Sequence, residues 1–249
     1  MASRRIAALY DIHGNLPALE AAVAEVEAAR PELIVCGGDV VGGPWPAECL
    51  DLLSAYGERV RWVRGNGERE VLGWRAGAGR EAVEPQEQVA AWAAARLGEA
   101  HARLLESFEP TVRVGAVLFC HATPRSDEEI LGRASSDERF RDALQDVDAE
   151  LVVAGHTHQQ YERDLGGMRM LNAGSIGLPY EGRRGAFWAL LEGTSVDLRC
   201  TAYDVESMLA GARSLGFPIV DLWFGESLIA PTAPDEVAAD FERMATGGS

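Results

Sequence analysis

The sequence predicts an α/β protein with parallel strands, and its N-terminal part carries that prediction. Short apolar runs at residues 6–12, 33–36 and 60–63 are joined by segments whose apolar residues recur at helical spacing. Repeated strand–helix steps build parallel sheets, because each crossover helix returns the chain to the same edge of the sheet. Binding sites in such sheets gather at the carboxyl ends of the strands, so we expect one there.

Helices are expected wherever the apolar spacing changes to the helical period. The intervals at residues 16–30 and 47–56 predict the two crossover helices. Residues 69–108 break the rhythm with Ala-, Arg- and Glu-rich sequence, which predicts a helical insertion of two or three helices beside or over the site. Further helices are expected around residues 137–147 and in a C-terminal helical extension over about residues 205–249.

The second half of the chain adds strands. Two runs at residues 112–114 and 117–120, joined by a Gly-Ala turn, predict a hairpin that ends at His121. A buried strand at residues 151–154 runs directly into a Gly-His-Thr-His segment. Beyond it, four apolar runs alternate with Gly-containing turns and predict an antiparallel sheet, at residues 161–164, 168–171, 187–191 and 196–203.

Length and composition favour one globular domain spanning residues 1–249. Of the 249 residues, 47% are hydrophobic and 25% are charged, which suits a single sizeable core. The 39 acidic residues outnumber the 23 basic ones and give a net charge of -16, so bulk binding to nucleic acid or to an anionic membrane is not expected. An anionic substrate therefore needs a local cationic site.

Cysteine usage and the lack of targeting patterns predict a cytoplasmic protein. The four cysteines form no C-x-x-C pair, and buried, reduced thiols are expected at Cys36, Cys49, Cys120 and Cys200. The N-terminal residues show no secretory signal pattern. No apolar segment approaches the roughly 20 residues that a membrane helix needs.

Asp11 and His13 are the first candidates for metal ligands. They follow the first predicted strand with one residue between them. Positions two apart in an extended strand point to the same side, so we expect the carboxylate and the imidazole to face one ion. Alone this pair is a weak signal, because Asp and His also occur as turn and cap residues. Whether the pair indicates a metal site depends on other residues that could complete the coordination shell of the ion.

Further nitrogen and oxygen ligands follow other predicted strands. Four of the five histidines stand at strand ends beside small residues, whereas His101 is expected on the surface of a helix. With three oxygen-bearing side chains they make seven candidate ligands: Asp11, His13, Asp39, Asn66, His121, His156 and His158. One ion rarely takes so many ligands from protein, so two ions with a shared carboxylate are implied.

Two divalent ions suit the hydrolysis of phosphate esters, which resist attack because a polyanion repels hydroxide. Ions about 3.5 to 4 Å apart polarise the phosphoryl oxygens and hold a bridging hydroxide near neutral pH. Oxygen and imidazole ligands without a thiolate suit transition metals better than calcium. We expect two divalent metal ions, manganese first, with iron, nickel, cobalt or zinc as alternatives.

The order of the motifs D-x-H, G-D, G-N-x-E, H and G-H-x-H resembles that of the calcineurin-like metallophosphoesterases over about residues 6–200. The segments 122–125 and 172–175 resemble those of the small bacterial and archaeal phosphodiesterase branch. The resemblance implies a four-layer αββα sandwich with two mixed β-sheets, the metallo-dependent phosphatase fold.

The resemblance also implies roles for individual residues. Two sets match the family's metal ligands: Asp11, His13 and His158 for one ion, and Asn66, His121 and His156 for the other. Asp39 matches the carboxylate that bridges the two ions. Asp39, Asn66 and His156 are the implied catalytic residues, because the last two help to orient the phosphate beside a metal-bridging hydroxide.

Gly67 is the one departure from the family pattern. The third motif usually has a His after its Asn, and that His helps the departing group to leave; here the position is Gly67. Substrates with good leaving groups are therefore expected, and a phosphodiesterase is the preferred function. A phosphomonoesterase, a protein phosphatase, or a non-catalytic metal-binding scaffold of the same fold stay open as alternatives.

Substrate contacts are expected from four loop residues. Arg125, Arg183 and Arg184 could meet the phosphate of a small phosphate-ester substrate, because guanidinium forms bidentate pairs with phosphate. Trp45 stands in a Gly/Pro loop just past Asp39 and could wall the pocket by stacking on a base or an aryl group. A plain packing role for Trp45 is the alternative.

Overall fold

Two five-stranded β-sheets lie face to face at the centre of the structure, a computed structural model that describes residues 4–77 and 81–247. The strands, in chain order, are β1 (Arg5–Leu9), β2 (Leu33–Cys36), β3 (Val60–Trp62), β4 (Thr111–Val114), β5 (Val117–Cys120), β6 (Leu151–Ala154), β7 (Tyr161–Asp164), β8 (Arg169–Asn172), β9 (Ala186–Glu192) and β10 (Ser195–Thr201). The first sheet has the order β10-β9-β1-β2-β3 and the second the order β4-β5-β6-β8-β7. Both sheets are mixed, because each combines parallel and antiparallel neighbours.

Helices pack on the outer face of each sheet. In chain order the helices of the structure are α1 (Leu16–Ala29), α2 (Pro46–Ser54), α3 (Asn66–Ala76), α4 (Pro85–Arg96), α5 (Glu99–Glu106), α6 (Asp137–Ala143), α7 (Val205–Leu215), α8 (Val220–Trp223) and α9 (Pro234–Thr246). Residues of α1, α2, α4 and α5 join one apolar cluster with the first sheet, while α6 packs on the second. The αββα sandwich and its two mixed sheets are confirmed.

The predicted strand–helix steps are present in the first sheet. β1, β2 and β3 run parallel, with Ile6 opposite Leu33 and Ile34 opposite Val60. The turn into α1 is capped by Asn15, whose side-chain oxygen accepts a hydrogen bond of 3.2 Å from the Ala18 amide. The parallel crossovers place the ends of β1, β2 and β3 at one edge of the sheet, as the pattern predicted.

Alternating residues of each central strand divide between two apolar layers. Ile6 and Ala8 of β1 face the second sheet, while Ala7 and Leu9 face the helices. The buried Tyr10 hydroxyl donates a hydrogen bond of 2.9 Å to the Val153 carbonyl and so ties the two sheets together. The site-bearing end of β1 is therefore held from both sides.

The prediction that four later strands form one antiparallel sheet is wrong. β7 and β8 pair antiparallel in the second sheet, whereas β9 and β10 form a hairpin that joins the first sheet through β1. Residues 173–185 cross from the second sheet to the first. The segment passes so close to the end of β1 that only glycine fits at position 177, because a Cβ there would lie 1.9 Å from the Ile12 carbonyl oxygen. Alternation identifies a strand, but tertiary packing decides which sheet the strand joins.

Helices occupy the two segments that departed from the strand–helix rhythm. α3, α4 and α5 fill the predicted insertion over residues 69–108, and α7, α8 and α9 lie in the predicted extension over residues 205–249. Residues 78–80 and 248–249 of these segments lie outside the described residues. Within the described residues, no helix has both the length and the apolar character to cross a membrane. The single-domain organisation stays a prediction.

The cysteines are free thiols in the described part of the chain. Cys36, Cys49 and Cys120 are buried, as expected, whereas Cys200 on β10 is partly exposed. Burial raises the pKa of the Cys120 thiol, so it stays protonated and acts as an apolar core residue.

A substitution at Phe119 tests the apolar packing between the two sheets, because the Phe119 side chain is fully buried there. We expect Phe119→Ala to lower the free energy of unfolding by about 3–5 kcal/mol, measured by urea denaturation. Leu222→Ala is the control, since Leu222 is 64% exposed, and its change should stay within about 0.5 kcal/mol. Equal losses in the two variants would contradict this assignment of the core.

Candidate metal centre

The loops that follow four strands meet at one point and carry the predicted ligands. Asp11 follows β1, Asp39 follows β2, His121 follows β5, and His156 follows β6. Backbone hydrogen bonds tie these loops together: Asp11 N to Gly38 O at 3.1 Å, His13 N to Asp39 O at 2.8 Å, and Gly155 N to His121 O at 2.8 Å. These bonds join the loops in two pairs, and the His156 N–H, which donates a hydrogen bond of 2.9 Å to Asp11 Oδ2, connects the pairs.

Most of the candidate ligands have a left-handed backbone. Of the six described non-glycine residues with positive φ, five are candidate ligands with φ between 48° and 65°: Asp11, His13, Asp39, His156 and His158. This conformation costs about 1–2 kcal/mol per residue. The expectation that Asp11 and His13 converge through strand alternation is wrong, because β1 ends at Leu9 and both residues lie in this turned backbone. Such strain persists where surrounding contacts fix the residue, commonly at functional sites.

Three of the ligands form the first half of the cluster. Asp11, His13 and His158 place ligand atoms within 4.8 Å of one another. The His158 Nε2 lies 3.4 Å from Asp11 Oδ1 and 3.2 Å from His13 Nε2. All three side chains are buried. Two imidazoles and one carboxylate thus converge on a space of the size of one ion.

The second half of the cluster is built on His121. Asp11, Asp39 and His121 also place ligand atoms within 4.8 Å of one another. His121 Nε2 lies 3.6 Å from Asp39 Oδ1 and 3.8 Å from Asp11 Oδ1, and the other Asp39 oxygen lies 3.8 Å from His13 Nε2. Asp39 therefore reaches both halves. Asp11 belongs to both groups as well, which spacing alone did not predict.

The remaining two predicted ligands border the second half. The His156 ring centroid lies 5.2 Å from that of His121, and the His156 backbone N–H donates 2.9 Å to Asp11 Oδ2. Asn66 begins α3, and its side-chain amide donates 3.1 Å to Glu70. All seven predicted residues thus lie around one cluster or border it.

Unpartnered buried atoms test whether this cluster fits metal ions. Among the described residues, Asp11 Oδ1, Asn66 Oδ1 and His121 Nε2 are buried without a hydrogen-bond partner. Leaving such a group unsatisfied costs about 1–3 kcal/mol, more when it is charged. Asp11 Oδ1 and His121 Nε2 lie 3.8 Å apart, so a cation bound between them would satisfy both, because each carries a lone pair. The donor set therefore fits divalent metal.

Backbone carbonyls fix the orientation of two imidazoles. The His121 Nδ1–H donates a hydrogen bond of 2.9 Å to the Gly37 carbonyl, and the His158 Nδ1–H donates one of 2.7 Å to the Leu178 carbonyl. Each bond leaves Nε2 free as the lone-pair nitrogen that faces the cluster. Histidine ligands of metals are commonly held in this way by their second nitrogen.

Burial and mutual charge keep three of the ligands, His13, His156 and Asp11, in their metal-binding protonation states. Burial lowers the pKa of His13 and of His156 to about 3, so both imidazoles are neutral near pH 7. Burial would raise the pKa of Asp11, but the imidazoles of His158, His121 and His13 outweigh it and lower that pKa. His13 and His156 therefore present neutral imidazoles near the ionised Asp11 carboxylate. Burial would lower the pKa of His121, but the Asp39 and Asp11 carboxylates outweigh it and raise that pKa.

Glu68 holds the loops of the cluster together, a role that the motif pattern did not predict. Its fully buried carboxylate accepts hydrogen bonds from the backbone amides of Asp39 at 2.9 Å, Val40 at 2.7 Å and Gly65 at 2.8 Å. Burial, with the nearby Asp39 carboxylate, raises its pKa to about 7 despite these donors. The E of the G-N-x-E motif was the available signal, since it stands three residues after a strand-end Gly.

Asn172 and Ser175 support the opposite side of the cluster. The Asn172 amide donates to the Gly155 carbonyl and, at 3.0 Å, to the Thr157 hydroxyl. The Ser175 hydroxyl donates 2.7 Å to the Asp11 carbonyl. These bonds fix the turn from His156 to His158 and the Asp11 backbone. The segment at residues 172–175 therefore supports the candidate ligands.

Gly67 lies directly against Asp39. Its backbone N–H donates 2.7 Å to Asp39 Oδ1, and a Cβ at position 67 would lie 2.9 Å from the same oxygen. A side chain here requires the carboxylate to move. The position at which the family usually carries His is thus filled by a backbone donor to Asp39.

A cavity of about 90 Å³ opens beside His13, Asp39 and Gly67. Gln86 and Val89 of α4 line it, so the predicted insertion borders the cluster. The C-terminal helices also approach: the Trp223 ring from α8 lies edge-on to His13 with centroids 5.9 Å apart. Parts of the chain remote in sequence therefore wall this side of the cluster.

The predicted substrate-binding residues have partners elsewhere in the described part of the chain. Arg125 pairs with Glu129 and with Asp142 at 2.9 Å, and Arg184 pairs with Glu206 at 2.7 Å. The other two contact aromatic or small residues: the Arg183 guanidinium lies 4.8 Å from the Phe187 ring centroid in a cation–π contact, and Trp45 packs near Gly211 of α7. Their role in substrate binding stays a prediction. His101 lies on α5, as expected, and contacts Asp51 at 3.0 Å.

The fold and the cluster together define a metallophosphoesterase. The family model of the calcineurin-like phosphoesterase superfamily domain matches residues 5–194. The chain belongs to that superfamily of metal-dependent phosphoester hydrolases.

Individual relatives extend the likeness. MJ0912 from Methanocaldococcus jannaschii is 26% identical over 258 residues, which cover 92% of this chain and 98% of the relative. The crystal structure of a metallophosphoesterase from Sphaerobacter thermophilus is 25% identical, with a TM-score of 0.75, and covers 92% of this chain and 100% of that one. The structure of PH1004 from Pyrococcus horikoshii OT3, 20% identical with a TM-score of 0.78 over 89% and 98% of the two chains, bears on the fold alone.

Glu68→Gln tests whether Glu68 holds the loops of the cluster together. The substitution turns an amide group toward backbone donors, so we expect the free energy of unfolding to fall by about 1–3 kcal/mol. Affinity for Mn²⁺, measured by titration calorimetry, should fall about 10- to 100-fold, as for other residues that support metal ligands. Glu20→Gln on the exposed face of α1 is the control. Unchanged Mn²⁺ affinity in Glu68→Gln would refute this role of Glu68.

Proposed function

We propose that this protein is a dinuclear metal-dependent hydrolase of phosphate esters, with phosphodiesters as the preferred substrates. The single observation that carries the proposal is the position of Asp39. Its two oxygens lie 3.6 Å from His121 Nε2 and 3.8 Å from His13 Nε2, so one carboxylate faces both halves of the cluster. Membership of a phosphoester hydrolase superfamily supports the same function.

Two sets of residues would hold the ions: Asp11, His13, Asp39 and His158 on one side, and Asp39, Asn66, His121 and His156 on the other. Divalent ions bound there would supply Lewis acidity toward phosphoryl oxygens and an activated water. Oxygen and imidazole donors without a thiolate support manganese, with iron, nickel, cobalt or zinc as alternatives. The buried free cysteines support a cytoplasmic location.

The residues of the chain itself provide orientation. His156 is neutral near pH 7, because burial lowers its pKa to about 3, and it is less buried than His13, His121 or His158. Asn66 begins α3 and lines the cavity of about 90 Å³ beside His13 and Asp39. We infer that these two side chains orient the phosphoryl group while the buried ligands keep the charged centre away from bulk water.

Gly67 shapes the preference for substrate. No imidazole stands at this position to protonate a departing alkoxide, and a side chain would press on Asp39. Esters whose leaving group departs without protonation should therefore react fastest. The same glycine favours the second candidate function, a metal-binding scaffold without turnover, over a phosphomonoesterase or a protein phosphatase.

A matched pair of aryl esters separates these functions. We expect protein loaded with Mn²⁺ to hydrolyse bis(p-nitrophenyl) phosphate faster than p-nitrophenyl phosphate, measured as kcat/KM from nitrophenolate release. Both esters share one leaving group, so the ratio reports the preference for a diester or a monoester. A preference for the monoester would indicate a phosphatase. Absence of turnover with Mn²⁺, Ni²⁺ or Co²⁺ would indicate the metal-binding scaffold.

Asp39→Asn tests the shared carboxylate. The amide removes one charge and one donor from both halves of the cluster, so hydrolysis should fall by at least about a hundredfold. Metal content, measured by elemental mass spectrometry, should fall as well. Asp51→Asn, which changes an exposed carboxylate on α2, is the control for both measurements. An Asp39→Asn protein that kept wild-type activity would overturn the assignment.

A further inference from the structure

A second cavity, of about 200 Å³, borders His121. It sits where the end of β3 meets the segment before β4, and the Arg64 N–H donates 2.8 Å to the Glu109 carbonyl at this seam. Arg64, Arg69 and Arg125 line it, together with Ser126 and Asp127. The cavity thus joins a candidate metal ligand to three guanidinium groups inside an acidic protein.

Two of these arginines are already neutralised. Arg69 pairs with Asp127 at 3.2 Å and with Glu128 at 2.6 Å. Arg125, a predicted phosphate-binding residue, pairs with Glu129 and Asp142. The paired carboxylates compete with any incoming anion. Neither guanidinium is therefore the strongest candidate for substrate binding.

Arg64 differs from both. Among the described residues its guanidinium forms no ion pair: the Asp127 carboxylate in the same cavity pairs with Arg69 instead. The Arg64 Nε is buried without a hydrogen-bond partner. An unmet buried donor is costly, and the cost is larger on a charged group. Arg64 stands two residues before Asn66, and its backbone is fixed to Glu109, so it shares the rigid frame of the metal centre. The cavity therefore presents one cation prepared for an anion.

The other groups in the cavity favour a phosphoryl group. The Ser126 Oγ accepts the Glu128 amide at 3.1 Å, which leaves its hydroxyl hydrogen free to donate. Asp127 also faces the cavity, but its carboxylate is held by two hydrogen bonds from Arg69, at 3.2 and 3.3 Å. A planar guanidinium beside a hydroxyl donor matches the oxygens of a phosphoryl group.

We infer that this cavity is a subsite for a second phosphoryl group of the substrate, bound by Arg64 while the first lies at the metal centre. The inference rests on the proposed function and specifies its substrate class: phosphate esters that carry a further phosphoryl group. Arg64 is a specificity-determining residue in this arrangement. It contributes to binding of the distal group.

Two phosphonates with the same carbon chain test the subsite. Propane-1,3-bisphosphonate and propylphosphonate differ by one phosphonate group, and neither can be hydrolysed. We expect protein loaded with Mn²⁺ to bind the bisphosphonate about tenfold more tightly, measured by titration calorimetry, because a bond to a charged group is worth that factor or more. Arg64→Gln should abolish this difference while keeping the metal content and the affinity for propylphosphonate.

Arg113→Gln is the matched control, since Arg113 is an exposed arginine of β4 that contacts the Asp148 carbonyl. The Arg113→Gln protein should prefer the bisphosphonate over propylphosphonate to the same degree as the wild type. Arg64→Lys retains the charge without the planar fork, so it should show an intermediate preference and covers the case in which Arg64→Gln fails to fold.

The outcomes separate the subsite from the hydrolase. Equal binding of the two phosphonates by the wild type, binding of neither, or a preference that survives in a folded Arg64→Gln protein would each overturn the subsite. Hydrolysis of aryl esters by that same protein would leave the hydrolase intact. A preference that depends on Arg64 in a protein without turnover would support the subsite and refute the hydrolase.

Discussion

The structure depends on backbone turns that aim buried side chains at one point. Asp11, Asp39 and His156 each follow a β-strand, and each has a left-handed backbone conformation that residues other than glycine rarely adopt. The parallel strands bring the turns to one edge, and backbone bonds between the turns hold them there. The strain is local, whereas the hydrogen bonds that offset it come from several elements. The ligands are thus positioned by the whole sandwich.

This arrangement explains why so many buried polar groups surround the cluster. Glu68 holds the turn after β2 and the end of β3, while Asn172 and Ser175 hold the turns after β6 and β1. Each satisfies backbone donors or acceptors that a left-handed turn leaves without a strand partner. Among the ligand atoms without a hydrogen-bond partner, Asp11 Oδ1 and His121 Nε2 lie 3.8 Å apart at the centre of the cluster.

The sequence was sufficient for features that depend on local pattern. Asp39 and His121 follow apolar runs, so their place at strand ends could be predicted, and the order of the motifs indicated the sandwich fold. Features that depend on long-range packing were missed. The pairing of β9 with β1 and the approach of Trp223 to His13 join segments far apart in the chain, and no local pattern reports them. The unpaired state of Arg64 could be recognised only with its neighbours in place.

Anomalous diffraction from crystals grown with Mn²⁺ tests the central claim, that these turns assemble a site for two ions. We predict two peaks, the first among Asp11, His13 and His158 and the second among Asn66, His121 and His156, with Asp39 in contact with both. A single peak, or manganese only at surface carboxylates while the cluster stays free of it, would contradict the account.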